Sequence, residues 1–146
     1  MSNIVALRKI LDLRNEEKNN ALLEQKEAID YFEKVAEQLY IKLKTKEDAE
    51  SRLQQMYKGS EVIFKIREQT LYIESLQQKI NTLQREVQLA RQRMEEKQHL
   101  VTEKHVELKK IETMIEKREE ALRKEEEQEE TRQMDEISLN RYIRAE

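Results

Sequence analysis

The chain has 146 residues, 40% of them charged and 5% aromatic, with one glycine, no proline, no cysteine and no tryptophan, and a net charge of −3 from 28 basic and 31 acidic residues. Such a composition with helical periodicity is that of a coiled coil or long helix, which buries a narrow seam and leaves no pocket able to enclose a substrate. The missing cysteines exclude disulfides and thiolate metal sites and suit a reducing compartment, while the near balance of charge gives no general field for nucleic acid.

Met1 to Asn20 lacks the apolar run of a signal peptide, and no run of about 20 apolar residues is present to span a bilayer. Ser2 or Asn3 is placed to cap a first helix. Ile4, Leu7 and Leu11 follow at helical spacing, among Arg8, Lys9 and Arg14. The run Arg14 to Asn20 is polar throughout. From Leu22 a heptad pattern resumes, with Leu22, Ile29, Ala36 and Leu43 in one position and Phe32, Leu39 and Leu53 in the other, interrupted at Gln25, Lys46 and Glu50. Helix one is expected over about residues 2–57.

Gly59 is the only glycine, and it stands between two heptad arrays. Glycine readily takes the left-handed conformation that ends a helix. Lys58 suits the negative end of helix one, and Ser60 and Glu61 suit the start of helix two. A turn over about 58–61 then makes an antiparallel helical hairpin. The alternative is one continuous helix dimerising in parallel, since an internal glycine costs only about 1 kcal/mol. The heptad frame separates the two: counted from Leu22 it reaches 64 and 71, but the second array places its apolar position at Ile66 and Ile73. A turn explains that slip more simply than a break in a dimer seam.

The second array is the strongest signal in the chain. Ile66, Ile73, Ile80, Val87, Met94, Val101, Leu108, Ile115 and Leu122 recur every seventh residue without a gap. The companion position holds Gln69, Leu76, Leu83, Ala90, Lys97, Lys104, Ile111, Arg118 and Glu125, so the seam is expected to weaken toward the C-terminus. A 3.5-residue apolar period sustained this long must pack on another helix. Helix two is expected over about 61–143. Folding about Gly59 places Met1 opposite roughly Arg118, which leaves an overhang of about 42 Å at 1.5 Å per residue. In it, Glu119–Arg123 and Glu120–Lys124 are spaced to support a lone helix. The fold class expected is therefore all-α: a long two-helix antiparallel coiled-coil hairpin in a single domain, 1–146, whose longer second helix overhangs at the C-terminus.

No catalytic constellation is found. His99 and His105 lie off the seam, there is no glycine-rich phosphate loop, and solvated carboxylates are poor acids at neutral pH. An enzyme, a cofactor, a metal, a small-molecule substrate and a nucleic-acid partner are none of them expected. Apolar residues off the seam are more informative. Phe64 and Leu71 occupy the outermost position of helix two with Tyr72 beside them, and Ile41 and Tyr40 occupy the outer face of helix one. Clustered exposed apolar residues mark interaction sites.

Three stretches carry a resemblance: Leu7-Arg8-Lys9-Ile10-Leu11-Asp12-Leu13-Arg14, Ala36-Glu37-Gln38-Leu39, and Met134-Asp135-Glu136-Ile137-Ser138-Leu139-Asn140-Arg141-Tyr142. In this order, around an antiparallel hairpin, the chain resembles the flagellar type III export protein FliJ family over nearly its whole length. The resemblance implies a cytoplasmic, non-enzymatic, stalk-like component of the export apparatus, similar in shape to the central stalk of rotary ATPases. It implies binding within the hexameric flagellar export ATPase, promotion of its assembly and turnover, contact with the export gate protein FlhA and, in some members, with export chaperones. The membrane would be reached through partners only, at its cytoplasmic face. On this reading Arg8, Arg14, Asp135, Glu136, Arg141 and Tyr142 contact the ATPase, and Tyr40, Ile41, Phe64, Leu71 and Tyr72 face the gate. The competing readings are the equivalent stalk of a virulence-type injectisome, and a structural tether or dimeric spacer.

Overall fold

Glutamate, lysine, leucine, glutamine, arginine and alanine dominate the chain, and these are the residues that lose least on entering a helix. With no proline anywhere, nothing breaks the backbone ladder. The computed structural model describes residues 2–145, without the side chain of Ser2. The expected cap at Ser2 and the expected place of Met1 lie outside that description. Two helices joined by residues 59–62 make up the described chain: α1, Ser2–Lys58, and α2, Ile63–Ala145.

The chain divides into two compact units, Ala21–Val101 and Met1–Asn20 with Thr102–Glu146. In the first, the two helices run antiparallel from the turn. Gln69 donates to the Ala49 carbonyl at 3.0 Å, Lys46 reaches Gln77, and the Arg91 guanidinium stands 5.9 Å from the centre of the Phe32 ring. Its core holds Ala21, Ala28, Val35 and Ala49 from α1 with Leu76, Ile80 and Ala90 from α2. Lys97 pairs with Glu24 at 3.1 Å. In the second unit Lys104 pairs with Glu17 at 3.4 Å and Arg8 with Glu119 at 2.8 Å, the same antiparallel order. Leu7, Leu108 and Ile115 are buried there. Leu122 is the last half-buried residue of α2, and every described residue after it is exposed.

On α2 every expected seam position from Ile66 to Ile115 is buried or half-buried, so that register is as the periodicity indicates. Lys97 and Lys104 do not open the seam: each reaches a glutamate across it while its stem covers the apolar layer. On α1 the expected frame is displaced. The buried position is Ala21, Ala28, Val35 and Ala49, one residue before Leu22, Ile29 and Ala36, and Leu22 and Leu43 are 40% and 44% exposed. Phe32, Leu39 and Leu53 keep their place at the seam. The physical reason is size. In this unit α1 buries only small side chains while α2 buries Leu76 and Ile80 beside Ala90, and small residues from one helix leave room for larger ones from the other.

The turn also differs from expectation. Gly59 is not left-handed, since no described residue has a positive φ. Its N–H donates to the Gln55 carbonyl at 3.1 Å, which continues the helical pattern by one residue. Lys65 and Ile66 donate to the Val62 carbonyl, so Val62, not Ser60, stands at the start of α2. The reversal thus spreads over Gly59 to Val62, and the helices pair about Ser60–Glu61. Ile4 lies beside Arg118 in a shallow groove with Ala121 and Leu122.

Candidate interaction surfaces

An antiparallel helix pair fills its own seam, so chemistry can only be done on its outer faces or ends. Among the described residues no group of three or more His, Asp or Glu is placed to hold a metal ion. A surface groove lined by Lys124, Glu127, Gln128, Thr131, Arg132 and Asp135 lies along α2 alone, where one helix cannot enclose a ligand. No described helix is long and apolar enough to cross a membrane.

The terminal set of expected contacts belongs to one unit, but the structure does not gather it. Arg8 is committed to Glu119 and Arg14 to Glu17 at 3.1 Å. Glu17 accepts from Arg14 and also from Lys104. The Arg14 hydrogen bond, first among the causes, holds the Glu17 carboxyl below its ordinary 4.5. Asp135, Glu136, Arg141 and Tyr142 lie beyond the last half-buried position of α2 and are exposed. From Glu119, the partner of Arg8, to Asp135 is about 24 Å along the helix at its ordinary rise. Two contact regions result in place of one. On the distal region Arg132 pairs with Glu129, which lowers the glutamate and raises the arginine.

That distal region shows apolar side chains on several sides. Met134, Ile137, Leu139, Tyr142 and Ile143 are all at least half exposed. At 100° per residue, Met134 and Ile137 point one way, and Leu139 and Ile143 nearly the opposite way. A helix covered by one neighbour would show one stripe; this one is apolar on most of its circumference.

The other expected set lies in Ala21–Val101. Tyr40, Ile41, Phe64, Leu71 and Tyr72 are all exposed, as expected of residues off the seam. They do not form one face. Tyr72 lines a groove with Thr45, Asp48, Ala49, Arg52 and Gln69. Thr45 is one turn from Ile41 and donates to its carbonyl at 2.8 Å, so Ile41 and Tyr72 share a side. Tyr40, one residue earlier, points about 100° away. Reading the sequence missed the turn itself: Tyr57, Val62 and Ile63 join Phe64 as large exposed apolar residues there. The signal was available, since no heptad position accommodates three successive apolar residues at 62, 63 and 64.

The fold defines a coiled-coil protein: a helix pair that closes its own seam, with α2 continuing, among the described residues, past its last half-buried position at Leu122. The chain belongs to the flagellar FliJ family, a family of flagellar export components. It matches the family described as flagellar FliJ protein over residues 2–146. It is also 32% identical over 135 residues to the flagellar FliJ protein of Bacillus subtilis (strain 168), covering 92% of each chain. No solved structure matches it significantly.

Proposed function

We propose that the chain is the non-enzymatic, stalk-like component of a flagellar type III export apparatus, working on the cytoplasmic side of the membrane. Its distal α2 segment enters the hexameric export ATPase, promotes assembly and turnover of the ring, and the chain couples the ring to the export gate protein FlhA. Export chaperones are further candidate partners. The observation that carries this reading is the apolar circumference of Met134 to Ile143 beyond the last seam layer. A surface apolar on most sides is best covered by an enclosing socket, which a ring supplies and a single groove does not. Asp135, Glu136, Arg141 and Tyr142 are the contacts within it, and Arg8 and Arg14 are contacts nearer its mouth. The face with Ile41 and Tyr72, together with Tyr40, Phe64 and Leu71, serves the gate.

The test is ATP turnover by the cognate export ATPase as the chain is titrated in at low ATPase concentration. A saturable rise is expected, strongest where the ring is poorly assembled. Deleting Thr131 to Glu146 should abolish the rise while leaving the helicity of the remainder intact. No rise with a verified active ATPase would favour a structural tether. Phe64→Ser with Leu71→Ser should weaken gate binding and shift stability by no more than about 0.5 kcal/mol, as for other surface substitutions.

A further inference from the structure

The turn of the Ala21–Val101 unit ends in apolar side chains with nothing over them. Val62 and Ile63 precede or open α2, Phe64 follows, and Tyr57 lies in the last turn of α1. Ile63 is 82% exposed, more than any other large apolar residue described, and Tyr57, Val62 and Phe64 are each more than 60% exposed. Exposing a run of this kind costs hydration free energy that a partner would recover. Because Val62, Ile63 and Phe64 are consecutive, they point in different directions about the end of the hairpin. A groove approached from one side covers one of them; a surface met end-on covers all three.

Charge at the same place selects the surface. From Tyr57 to Glu68 stand Lys58, Lys65 and Arg67 against Glu61 and Glu68, a local positive excess in a chain that carries −3 overall. Apolar side chains at a protruding end, ringed by lysine and arginine, match an anionic bilayer: the apolar groups enter the boundary between headgroups and acyl chains while the cations meet lipid phosphates. We infer that the tip formed by Tyr57, Val62 and Ile63 inserts into the headgroup region of anionic membranes, guided by Lys58, Lys65 and Arg67. This goes beyond the proposed function, in which the membrane is reached through partners. It involves shallow interfacial burial and no spanning segment.

The absence of tryptophan makes a clean probe. Full-length chain carrying Ile63→Trp is mixed with vesicles of phosphatidylglycerol and phosphatidylethanolamine, with no other protein present. A blue shift of its emission and quenching by lipids brominated near the headgroup are expected, with no shift for Leu89→Trp, an exposed position elsewhere on α2. Sedimentation with the same vesicles should weaken about fivefold for each of Lys58→Gln, Lys65→Gln and Arg67→Gln. It should fall to background in Val62→Ser with Ile63→Ser, a surface pair whose loss leaves the helices folded by circular dichroism. Binding should also weaken as salt rises. An unshifted Ile63→Trp spectrum on anionic vesicles overturns the inference. So does a shift that appears only with membranes containing the export gate, which would make the occupant a protein. ATPase stimulation is read separately, so either proposal can fail alone.

Discussion

Ile80 and Ile137 are the same side chain on the same helix, yet one is 1% exposed and the other 50%. The difference lies across the seam. Ile80 lies in the seam between α1 and α2; Ile137 lies beyond Leu122, the last half-buried residue of α2. Local propensity holds both stretches helical, since Glu120–Lys124 and Glu129–Arg132 pairs support α2 where no neighbour does. What propensity cannot supply is burial. One region of α2 puts its apolar surface into the fold, and the other leaves it exposed.

The largest expected effect tests this contrast directly. Ile80→Ala should lower the unfolding free energy by about 2–4 kcal/mol, the cost of losing buried methyl groups and leaving a cavity. Ile137→Ala should leave it unchanged within about 0.5 kcal/mol. Urea titrations followed by circular dichroism at 222 nm measure both. A comparable loss from Ile137→Ala would show that the distal segment packs on something within the chain or on a second copy, and the contrast would fail.

How far the sequence revealed this differs between the two helices. The α2 seam was legible because its apolar position never lapses and nothing nearby competes with it. On α1 two adjacent positions both follow a seven-residue period: Leu22, Ile29, Ala36 and Leu43 in one, and Ala21, Ala28, Val35 and, past Lys42, Ala49 in the other. Hydrophobicity favours the larger set, but packing in the seam buries the smaller. That choice depends on the opposing helix and is invisible in α1 alone. The same register sets which outer residues share a side, so the exposure of Tyr40, Ile41 and Tyr72 was legible while their grouping was not. The turn escaped for a related reason. A lone glycine between two arrays suggests a left-handed cap, whereas the chain reverses without one.

The turn therefore supports a prediction of intermediate size. A Cβ on Gly59 would meet only the Gln55 carbonyl oxygen, at 3.5 Å, an ordinary contact. Since φ is not positive there, Gly59→Ala should stabilise the chain by about 0.4–1 kcal/mol, chiefly by restricting the unfolded state. Denaturant midpoints measure it. A clear loss of stability would mean that the turn needs the freedom of glycine after all.

The smallest effect belongs to the polar layers that separate the apolar ones. Glu17 receives Arg14 from its own helix and Lys104 from across the seam, and its carboxyl is held below 4.5 in the folded chain. A group so lowered stabilises the fold above its unfolded value, and that stabilisation is lost as pH falls through the folded value. Glu17→Gln should therefore melt slightly below the parent at pH 7, with the gap closing below about 4.5. Added salt should narrow the gap, because all three side chains are partly solvated. Equal melting at every pH would assign the Glu17–Lys104 pair a role in register alone. The layer would then tell α2 where to stop sliding along α1 while Leu7, Leu108 and Ile115 hold the helices together.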